Sequence, residues 1–499
     1  MHSKEKIFIL LITTIALLAL SHWVSAANIG IQWNQTKQTM DGFGAFAGRV
    51  TPMYASSDRS DVIAKLFSDD GLNLSMLRAE VVSGYSPREG YINFHADVPM
   101  SSNTSGPCFV DPNLTVDQIN IQCGQLWILK QAQATNPNIK FVASTWTPPL
   151  YMKTDPTSDT GNSNSTPPLP NRLNPDYYQT FANYLAQFLA DFKSKAGLSF
   201  YAISPQNEPD PTPLQSGFEG ASWYPCDTAK FVSNFLKPAL NGSGTKIMAS
   251  ENADWLLAAS YLPFMLNPSL LCLPNPGHTS GVDMLAAHGY SLPRLTGSVT
   301  YASNPLPWAT SLSGLPRWVT EASQTGGYNP GMSTGMKLAV SIHQFIANNN
   351  ASAYIFWLGA VGTSDESLIN IDKSPVELPK IYDVFGLFSR YIKPGYQRID
   401  VTQDLLNPNL YVSAYRNSST KDFTIIAINN GTSDLPLTLD FNGFATTAIT
   451  PITTPAGLVP ATADSSVRWQ AAPPLSVNGS SVTTTIPMQS VITYTGKGL

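Results

Sequence analysis

The feature that most constrains the fold of this 499-residue chain is a unit that recurs between residues 39 and 395. In most units a helix-sized segment precedes a short apolar run typical of a buried strand, and a polar or aromatic residue stands at the end of the run. The eight runs are TMDGFG, LSMLR, KFVASTW, SFYAIS, KIMASE, DMLAAHGY, RWVTE and SAYIFW. Such alternation predicts an α/β fold with a closed (β/α)8 TIM barrel. The alternative, an open doubly wound sheet, is disfavoured because no Gly-rich fingerprint follows the first strand.

One helix is predicted with particular clarity, in the stretch NPDYYQTFANYLAQFLADFKSKAG. Its apolar residues recur at steps of three and four and form one stripe, namely Phe181, Tyr184, Leu185, Phe188, Leu189 and Phe192. We expect Asn174 to cap the start of this helix and Gly197 to end it. The strand SFYAIS follows directly, so that helix and strand together form one unit of the predicted barrel.

The N-terminus has the pattern of a secretory signal peptide. Two lysines precede an apolar core from Ile7 to Leu20, and the small residues Ser25 and Ala26 precede the expected cleavage point. An uncleaved N-terminal anchor is the alternative. No later segment reaches about 18 unbroken apolar residues, the length needed for a transmembrane helix. We therefore expect a secreted or periplasmic protein with no membrane contact after removal of the signal.

The amino-acid composition changes near Gln397, where short runs of alternating apolar and polar residues, rich in Thr, Ser and Val, begin. These runs predict an antiparallel β-sandwich, and the early run IGIQWN is expected to add an edge strand to it. The expected domains are a signal peptide at 1–26, an N-terminal strand of the sandwich at 27–38, a catalytic barrel at 39–395 and a C-terminal β-sandwich at 396–499.

The net charge of the chain limits which classes of partner are expected. The formal net charge of −5 gives no basic surface, so a nucleic-acid partner is not expected and a neutral ligand fits better. We expect a monomer.

Export would allow two disulfides among the four cysteines, and the pair closest in sequence is Cys108 with Cys123; the others are Cys226 and Cys272. Their spacing is unlike that of a zinc site, and no metal or organic cofactor is expected.

Two glutamates are the leading candidates for chemistry, because a barrel gathers the C-terminal ends of its strands around one bowl. Glu208 and Glu321 follow the predicted fourth and seventh strands. Retention in glycoside hydrolysis needs a pair of carboxyl groups about 5 to 5.5 Å apart, one a protonated acid and the other an ionised nucleophile. A single glutamate at a strand end is more often structural, so the residues around the pair decide between a structural and a catalytic role.

Polar neighbours at other strand ends fit this division of roles. Asn207 could hydrogen-bond a sugar hydroxyl beside the cleaved bond. Arg78 and Tyr290 could hold the carboxylate of Glu321 and keep it ionised. These residue types at separate strand ends favour a catalytic bowl over coincidence.

Aromatic and imidazole side chains complete the expected site. Trp146 and Trp357 offer flat apolar faces on which sugar rings pack. His288 is expected to hydrogen-bond within the site rather than bind a metal, because neither an HExxH motif nor a His/Cys cluster accompanies it.

The remaining acids are weaker candidates. Glu251 also ends a strand, but it lacks the setting of Glu208 between Asn and Pro, and we expect it to support the site rather than react. Asp365 and Glu366 lie in the loop GTSDESL after the last barrel strand, where they are expected to be solvated or to line the rim.

Several motifs together resemble those of glycoside hydrolase family 30, a branch of clan A. The segments DGFGAF, STWTPPLYMK, YQTFANYLAQFLADF, SPQNEPD, AAHGY, RWVTE and FGLFSRYIKPG occur in the order seen in that family and cover essentially the whole chain after the signal peptide. The resemblance implies a barrel with a side β-sandwich and a retaining double-displacement mechanism. It also implies that Glu208 is the acid/base and Glu321 the nucleophile.

Within that family, YQTFANYL, QNEPD and GQLWILKQA look closer to the xylanase branches than to the glucosylceramidase-like ones. Bacterial glucuronoxylanases of the family carry an arginine after the eighth strand that binds the glucuronic acid branch, and the matching stretch FWLGAVGTSDES has none. The resemblance therefore implies a secreted β-1,4-xylanase without strict dependence on glucuronate. A β-1,6-glucanase or β-1,6-galactanase is the alternative within the family. A non-catalytic carbohydrate-binding protein, the alternative of another class, should not need both glutamates.

Overall fold

The structure is a computed structural model. It describes residues 26–46, 58–81, 124–210, 218–272, 280–291, 300–302, 305, 308, 314–403 and 407–499. The expected signal peptide, apart from Ala26, and the pair Cys108 and Cys123 lie outside the described residues. Among the residues that are described, no helix combines the length and the apolar character needed to cross a membrane.

Eight parallel strands close into a barrel, which confirms the predicted fold class. They are β2 (Gly42–Phe46), β3 (Met76–Val81), β4 (Lys140–Thr145), β5 (Phe200–Ser204), β6 (Lys246–Asp254), β7 (Met284–Tyr290), β8 (Arg317–Val319) and β9 (Ala353–Val361). Neighbours pair in chain order, and β9 closes the barrel because it pairs with both β2 and β8. Each strand corresponds to one of the eight predicted runs. The short β10 (Ser367–Asn370) pairs with β9 outside the barrel.

Helices pack against the outside of the barrel through one large apolar cluster. They are α1 (Arg59–Phe67), α2 (Gly124–Thr135), α3 (Tyr178–Ala196), α4 (Pro225–Phe231), α5 (Trp255–Leu266), α6 (Pro268–Leu271), α7 (Met332–His343) and α8 (Lys380–Ser389). Single π-helical turns, Val232–Leu236 and Gln344–Asn348, extend α4 and α7, and the first of them leads into a last helical turn at Lys237–Ala239.

The clearest sequence prediction, helix α3, is confirmed. All six residues of its apolar stripe are buried. Asn174 caps a 3-10 turn, Pro175–Tyr177, that leads into the helix, so the cap lies one turn earlier than the first α-helical residue. Gly197 ends the helix at φ +69°, a left-handed conformation that glycine adopts without steric cost.

The second domain is a ten-stranded sheet that encloses its own apolar cluster. Its strands are β1 (Ala27–Thr39), β11 (Gln397–Gln403), β12 (Leu410–Arg416), β13 (Asp422–Asn429), β14 (Leu435–Asn442), β15 (Ala448–Thr453), β16 (Gln470–Ala471), β17 (Leu475–Ser476), β18 (Ser481–Ile486) and β19 (Ser490–Lys497), with a short helix α9 (Ser465–Arg468). All pairings are antiparallel except that between β1 and β14.

The N-terminal strand β1 differs from the sequence expectation. It pairs antiparallel with β11 and parallel with β14, so it is an internal strand and not an edge strand. Its alternate residues Ala27, Ile29 and Ile31 are buried in the core of the sandwich. A one-sided apolar pattern of this kind predicts a strand with one buried face, but it does not show how many partners the strand has.

One of the disulfides allowed by the cysteine count is present among the described residues. It joins Cys226, in the first turn of α4, to Cys272, the residue after α6. The two cysteines are 46 residues apart in sequence, and the bond ties together two helices on the outside of the barrel.

Candidate active site

The interior of the barrel changes from apolar to polar along the direction of the strands. Nine side chains form an apolar cluster inside it, namely Met76, Val142, Ala202, Met248, Met284, Ala286, Trp318, Ala353 and Ile355. Successive side chains of a strand alternate between faces, so a residue two positions further on points the same way. Two positions beyond four of these residues come Arg78, Ser144, His288 and Trp357. The polar site therefore lies above the apolar layer, at the C-terminal ends of the strands.

The two predicted glutamates meet at this end of the barrel. Glu208 lies four residues beyond β5 and Glu321 two residues beyond β8, the fourth and seventh strands of the barrel. Both side chains are buried. One oxygen of each carboxylate and one nitrogen of His288 all lie within 4.8 Å of one another. This upper limit is shorter than the about 6.5 to 9.5 Å that separates the carboxyl groups of inverting glycosidases, which favours a retaining arrangement.

Glu321 accepts a hydrogen bond on each carboxylate oxygen. Arg78 Nη1 donates to Oε2 over 2.6 Å, and the Tyr290 hydroxyl donates to Oε1 over 2.7 Å. Burial opposes the charge of Arg78, but Glu251 and Glu321 raise the pKa of the guanidinium above its ordinary value. Burial, together with the charges of Glu321 and Glu208, raises the pKa of Tyr290 well above its usual range. Both groups therefore carry their protons and act as donors to Glu321.

Glu208 faces a different set of groups. Its Oε1 lies 3.0 Å from His288 Nδ1, and the same nitrogen lies 3.5 Å from Glu321 Oε1. The backbone of Glu208 has φ +45°, a left-handed conformation that is unfavourable for a residue with a Cβ. Its N–H donates to the main-chain oxygen of Glu251 over 2.9 Å, which holds the chain in that conformation.

Arg78 connects most of the polar residues of the site. It is fully buried, and its Nη2 donates to Asn207 Oδ1 over 2.6 Å and to Glu251 Oε2 over 3.1 Å. Its Nε donates to Ser144 Oγ over 3.3 Å. Of the predicted site residues, Asn207 is thus bonded to the same guanidinium as Glu321.

Ser144 is a site residue that the sequence did not identify, whereas Glu251 is expected from the sequence to support the site, and its side chain is bonded to Arg78. Ser144 donates a hydrogen bond to Glu251 Oε2 over 2.5 Å, next to the bond from Arg78. The period of two in KFVASTW does place Ser144 on the inward face together with Val142, so alternation along β4 could have found it. No comparable pattern in the sequence connects Glu251 to Arg78.

The two predicted tryptophans have different surroundings. Trp146 is only 2% exposed and lies under Arg78, whose Cζ is 4.7 Å from its ring centroid. Trp357 is half-buried and stacks on Phe46, with ring centroids 4.7 Å apart and an angle of 14° between the rings. The two tryptophan rings are 5.9 Å apart. Trp357 therefore keeps ring surface for a ligand, whereas Trp146 supports the guanidinium.

A further carboxylate, Glu366, lies near Glu321 in the loop after β9. Glu366 is half-buried, and Ser323 Oγ donates to its Oε1 over 3.5 Å, while the same Oγ lies 3.4 Å from the hydroxyl of Tyr290. Burial, then the charge of Glu321, raises the pKa of Glu366. The neighbouring Asp365 is buried and accepts the N–H of Asn329 over 2.7 Å, so it holds the loop.

Glu208, His288 and Glu321 are also the described residues whose ligand atoms lie close enough to surround a metal ion. Both oxygens of Glu321 already accept bonds from Arg78 and Tyr290, and His288 Nδ1 is bonded to Glu208. The donor set is therefore engaged in a hydrogen-bond network suited to proton transfer and charge stabilisation.

Comparisons with known proteins relate this chain to glycoside hydrolases. Residues 40–253 match the family model of the glycosyl hydrolase family 30 TIM-barrel domain. Glucuronoxylanase XynC of Bacillus subtilis is 26% identical over 365 residues, which cover 70% of this chain and 72% of that protein. An endo-1,6-beta-D-glucanase of Aspergillus fumigatus is 26% identical over 250 residues, which cover 46% of this chain and 47% of that protein.

Among solved structures, a GH30 endoxylanase from Clostridium papyrosolvens is similar over the whole fold. It is 25% identical, with a TM-score of 0.67, and the superposition covers 94% of this chain and all of that one, 100%. The resemblance therefore extends beyond the barrel to the side β-sandwich.

Proposed function

Because this chain carries a glycosyl hydrolase family 30 domain, we propose that it is a secreted, retaining glycosidase that cleaves β-1,4-xylan without strict dependence on glucuronate. Glu321 is the proposed nucleophile and Glu208 the proposed acid/base. The substrate is a polysaccharide or oligosaccharide, as family membership implies. Secretion is supported by the signal-like N-terminus and by the disulfide between Cys226 and Cys272.

The observation that carries the proposal is the unequal surroundings of the two glutamates. Arg78 and Tyr290 both donate to Glu321, and this arrangement favours a carboxylate there. Two buried carboxyl groups this close together share one proton more readily than they both ionise. With the guanidinium bonded to Glu321, the shared proton belongs on Glu208, where an acid is needed.

The two steps of the reaction follow from these roles. Glu321 attacks the anomeric carbon while Glu208 donates its proton to the leaving sugar oxygen. Glu208, now a carboxylate, takes a proton from water as that water attacks the glycosyl-enzyme. The released sugar keeps its anomeric configuration. The half-buried ring of Trp357 offers an apolar face against which a sugar can pack. Asn207 precedes Glu208 in the chain, and its Oδ1 accepts a hydrogen bond from Arg78.

The choice of xylan is supported by the similar xylanases from Bacillus subtilis and Clostridium papyrosolvens. The absence of a glucuronate requirement is supported by the loop after β9. It has no arginine or lysine between Trp357 and Asn370, and it presents Glu366 instead. A carboxylate branch bound near Glu366 and Glu321 would meet negative charge without a compensating cation.

A β-1,6-glucanase is the second candidate, since the Aspergillus fumigatus relative has that activity in its name. Both candidates share the fold and the proposed glutamates, so they differ only in which polymer the cleft accepts.

The test is product analysis after incubation of the purified protein with four substrates: glucuronoxylan, unsubstituted xylo-oligosaccharides, β-1,6-glucan and β-1,6-galactan. The proposal expects xylo-oligosaccharides whose cleavage sites ignore the acid branches, with retained configuration at the new anomeric centre by NMR. Glu208→Gln, purified in the same way, is the control for contaminating activity. Cleavage of a β-1,6-linked polymer alone would overturn the substrate, and inversion of configuration would overturn the mechanism.

A further inference from the structure

Glu251 is a buried, charged residue that the proposed reaction does not use. It lies in β6, the fifth barrel strand, and it is 0% exposed. Its Oε2 accepts two hydrogen bonds, one from Arg78 Nη2 over 3.1 Å and one from Ser144 Oγ over 2.5 Å. A carboxylate without solvent contact is costly unless it is paired and hydrogen-bonded. The position of this buried carboxylate beside the proposed catalytic residues therefore needs a functional explanation.

The side chain of Glu251 competes with Glu321 for one cation. Arg78 donates through Nη1 to Glu321 and through Nη2 to Glu251, so a single positive charge faces two carboxylates. Burial opposes ionisation of Glu251, but the charge of Arg78, then that of His288, and the bond from Ser144 lower its pKa below the ordinary value. Glu251 is thus a negative charge bonded to one terminal nitrogen of the guanidinium, while Glu321 is bonded to the other.

The main chain of Glu251 reaches the other glutamate. Its carbonyl oxygen accepts the N–H of Glu208 over 2.9 Å. Both residues have positive φ values, 45° for Glu208 and 60° for Glu251. Each such backbone costs on the order of 1 to 3 kcal/mol and persists only where the surroundings determine it. The shared hydrogen bond is one of the contacts that hold the two strained residues together.

We propose that Glu251 is a positioning residue for both proposed catalytic carboxylates. This inference rests on the proposed function for the roles of Glu208 and Glu321. Because Arg78 is paired with both carboxylates, it stabilises the negative charge of Glu321 less than it would if Glu251 were absent. Glu321 is therefore a stronger nucleophile than it would be as the single partner of Arg78. Its carbonyl sets the direction in which Glu208 leaves the strand end.

Several charged or titratable groups surround Glu321, and any change in its titration must be read against all of them. They are Arg78 from β3, Glu208 from the loop after β5, Glu251 from β6, His288 and Tyr290 from β7, and Glu366 from the loop after β9. Replacing Glu251 by Gln changes one charge in this set and keeps the size of the side chain.

The first test needs no substrate. The protein is labelled with 13C at the glutamate carboxyl carbon, and the signal of Glu321 is assigned with Glu321→Gln. In Glu251→Gln the carboxylate of Glu321 should titrate at a lower pH than in the unaltered protein, by about half a unit or more, because it loses a like charge and gains a larger share of Arg78. An unchanged titration of Glu321 in the folded variant would overturn the inference.

The second test is kinetic. In Glu251→Gln we expect kcat to fall about tenfold, a loss of about 1.4 kcal/mol in transition-state stabilisation, with KM changed less than threefold. The acid limb of the pH profile of kcat/KM should move with the NMR titration. A lower kcat with an unmoved acid limb would indicate a merely structural role and contradict the inference.

A third variant protects the test against misfolding. Glu251→Asp keeps the charge but retracts it from Arg78, so it should move the titration of Glu321 in the same direction by a smaller amount and lower kcat. No change in either quantity would overturn the inference. Because the NMR titration is independent of turnover, failure of the proposed xylanase activity is distinguishable from failure of this inference.

Discussion

The hydroxyl of Tyr290 lies 2.7 Å from Glu321 Oε1, on the opposite side of the carboxylate from the bond of Arg78 to Oε2. The two donors come from the sixth and second strands of the barrel, β7 and β3, so closure of the barrel is what brings them to one side chain. This clamp fixes the orientation of the proposed nucleophile before any substrate is bound.

We expect Tyr290→Phe to lower kcat/KM by about 10²-fold, the size of the loss seen when a donor to a reacting oxygen is removed. The ring that packs at 5.8 Å from His288 remains, so folding should be little affected. The measurement is steady-state kinetics on xylo-oligosaccharides together with thermal unfolding. If the free energy of unfolding falls by as much as the free energy of transition-state stabilisation, the hydroxyl acts through folding alone.

Removing the proposed acid should have an effect that depends on the leaving group. Glu208→Gln should lose turnover of xylan by at least about 10²-fold, while an aryl glycoside with a good leaving group still glycosylates Glu321 because it needs no proton. Added azide should then restore turnover and give a glycosyl azide of retained configuration. Absence of any azide effect, with the variant folded and still able to bind oligosaccharide, would contradict the role of Glu208.

The sequence predicts the barrel and its strand-end residues because each strand is recognised from a short run of neighbouring residues and from its order along the chain. Arg78, Tyr290, Glu208 and Glu321 could each be placed at the end of a strand without knowing their contacts. The contacts themselves depend on closure of the barrel. The bond between Arg78 and Glu251 joins residues 173 positions apart, which no local pattern encodes.

Other features escaped prediction for the same reason. β1 is an internal strand because it pairs with β14, a segment some 400 residues later in the chain. The ring of Trp146 is buried among Arg78, Phe46 and Trp357, residues that are distant from it in sequence. The bond between Cys226 and Cys272 depends on how α4 and α6 pack, and sequence spacing left it open.

His343 should make the protein sensitive to acid. It is buried in α7 and packs against Tyr411 of the sandwich, with ring centroids 5.4 Å apart. Burial, then the charge of Arg398, lowers its pKa to about 3. The unfolded chain has a histidine pKa of about 6.5. Between these values the unfolded state binds a proton that the folded state does not, so the free energy of unfolding should decrease as the pH falls from about 6.5, by at most about 1.4 kcal/mol per unit.

The measurement is urea unfolding of the unaltered protein and of His343→Leu at several pH values between 7 and 4. The variant starts from a different stability, so the slopes are compared and not the absolute values. The difference between the two unfolding free energies should change in favour of the variant as the pH falls. Parallel curves over this range would show that another group carries the acid sensitivity.

A buried ion cluster joins the barrel to the sandwich, and we expect it to dominate the stability of that contact. Asp383 in α8 is fully buried and accepts bonds from Lys380 Nζ over 2.6 Å, from the Arg468 guanidinium and from Thr454 Oγ1 over 3.2 Å. Burial lowers the pKa of Lys380, and the charge and hydrogen bond of Asp383 oppose that shift. Arg468→Met should therefore cost about 3 to 5 kcal/mol, because it removes one partner from a buried carboxylate.

The matched control for this variant is the exposed pair Lys37 and Asp400, whose charged atoms lie 3.2 Å apart at the surface of the same domain. Lys37→Met should cost less than about 1 kcal/mol, since water already solvates both charges. Urea unfolding of the two variants, side by side with the unaltered protein, gives the comparison. Equal losses in the free energy of unfolding would mean that burial adds nothing to the cluster at Asp383. A larger loss in Arg468→Met would show that the contact between Asp383 of α8 and Arg468 of α9 stabilises the junction of the two domains.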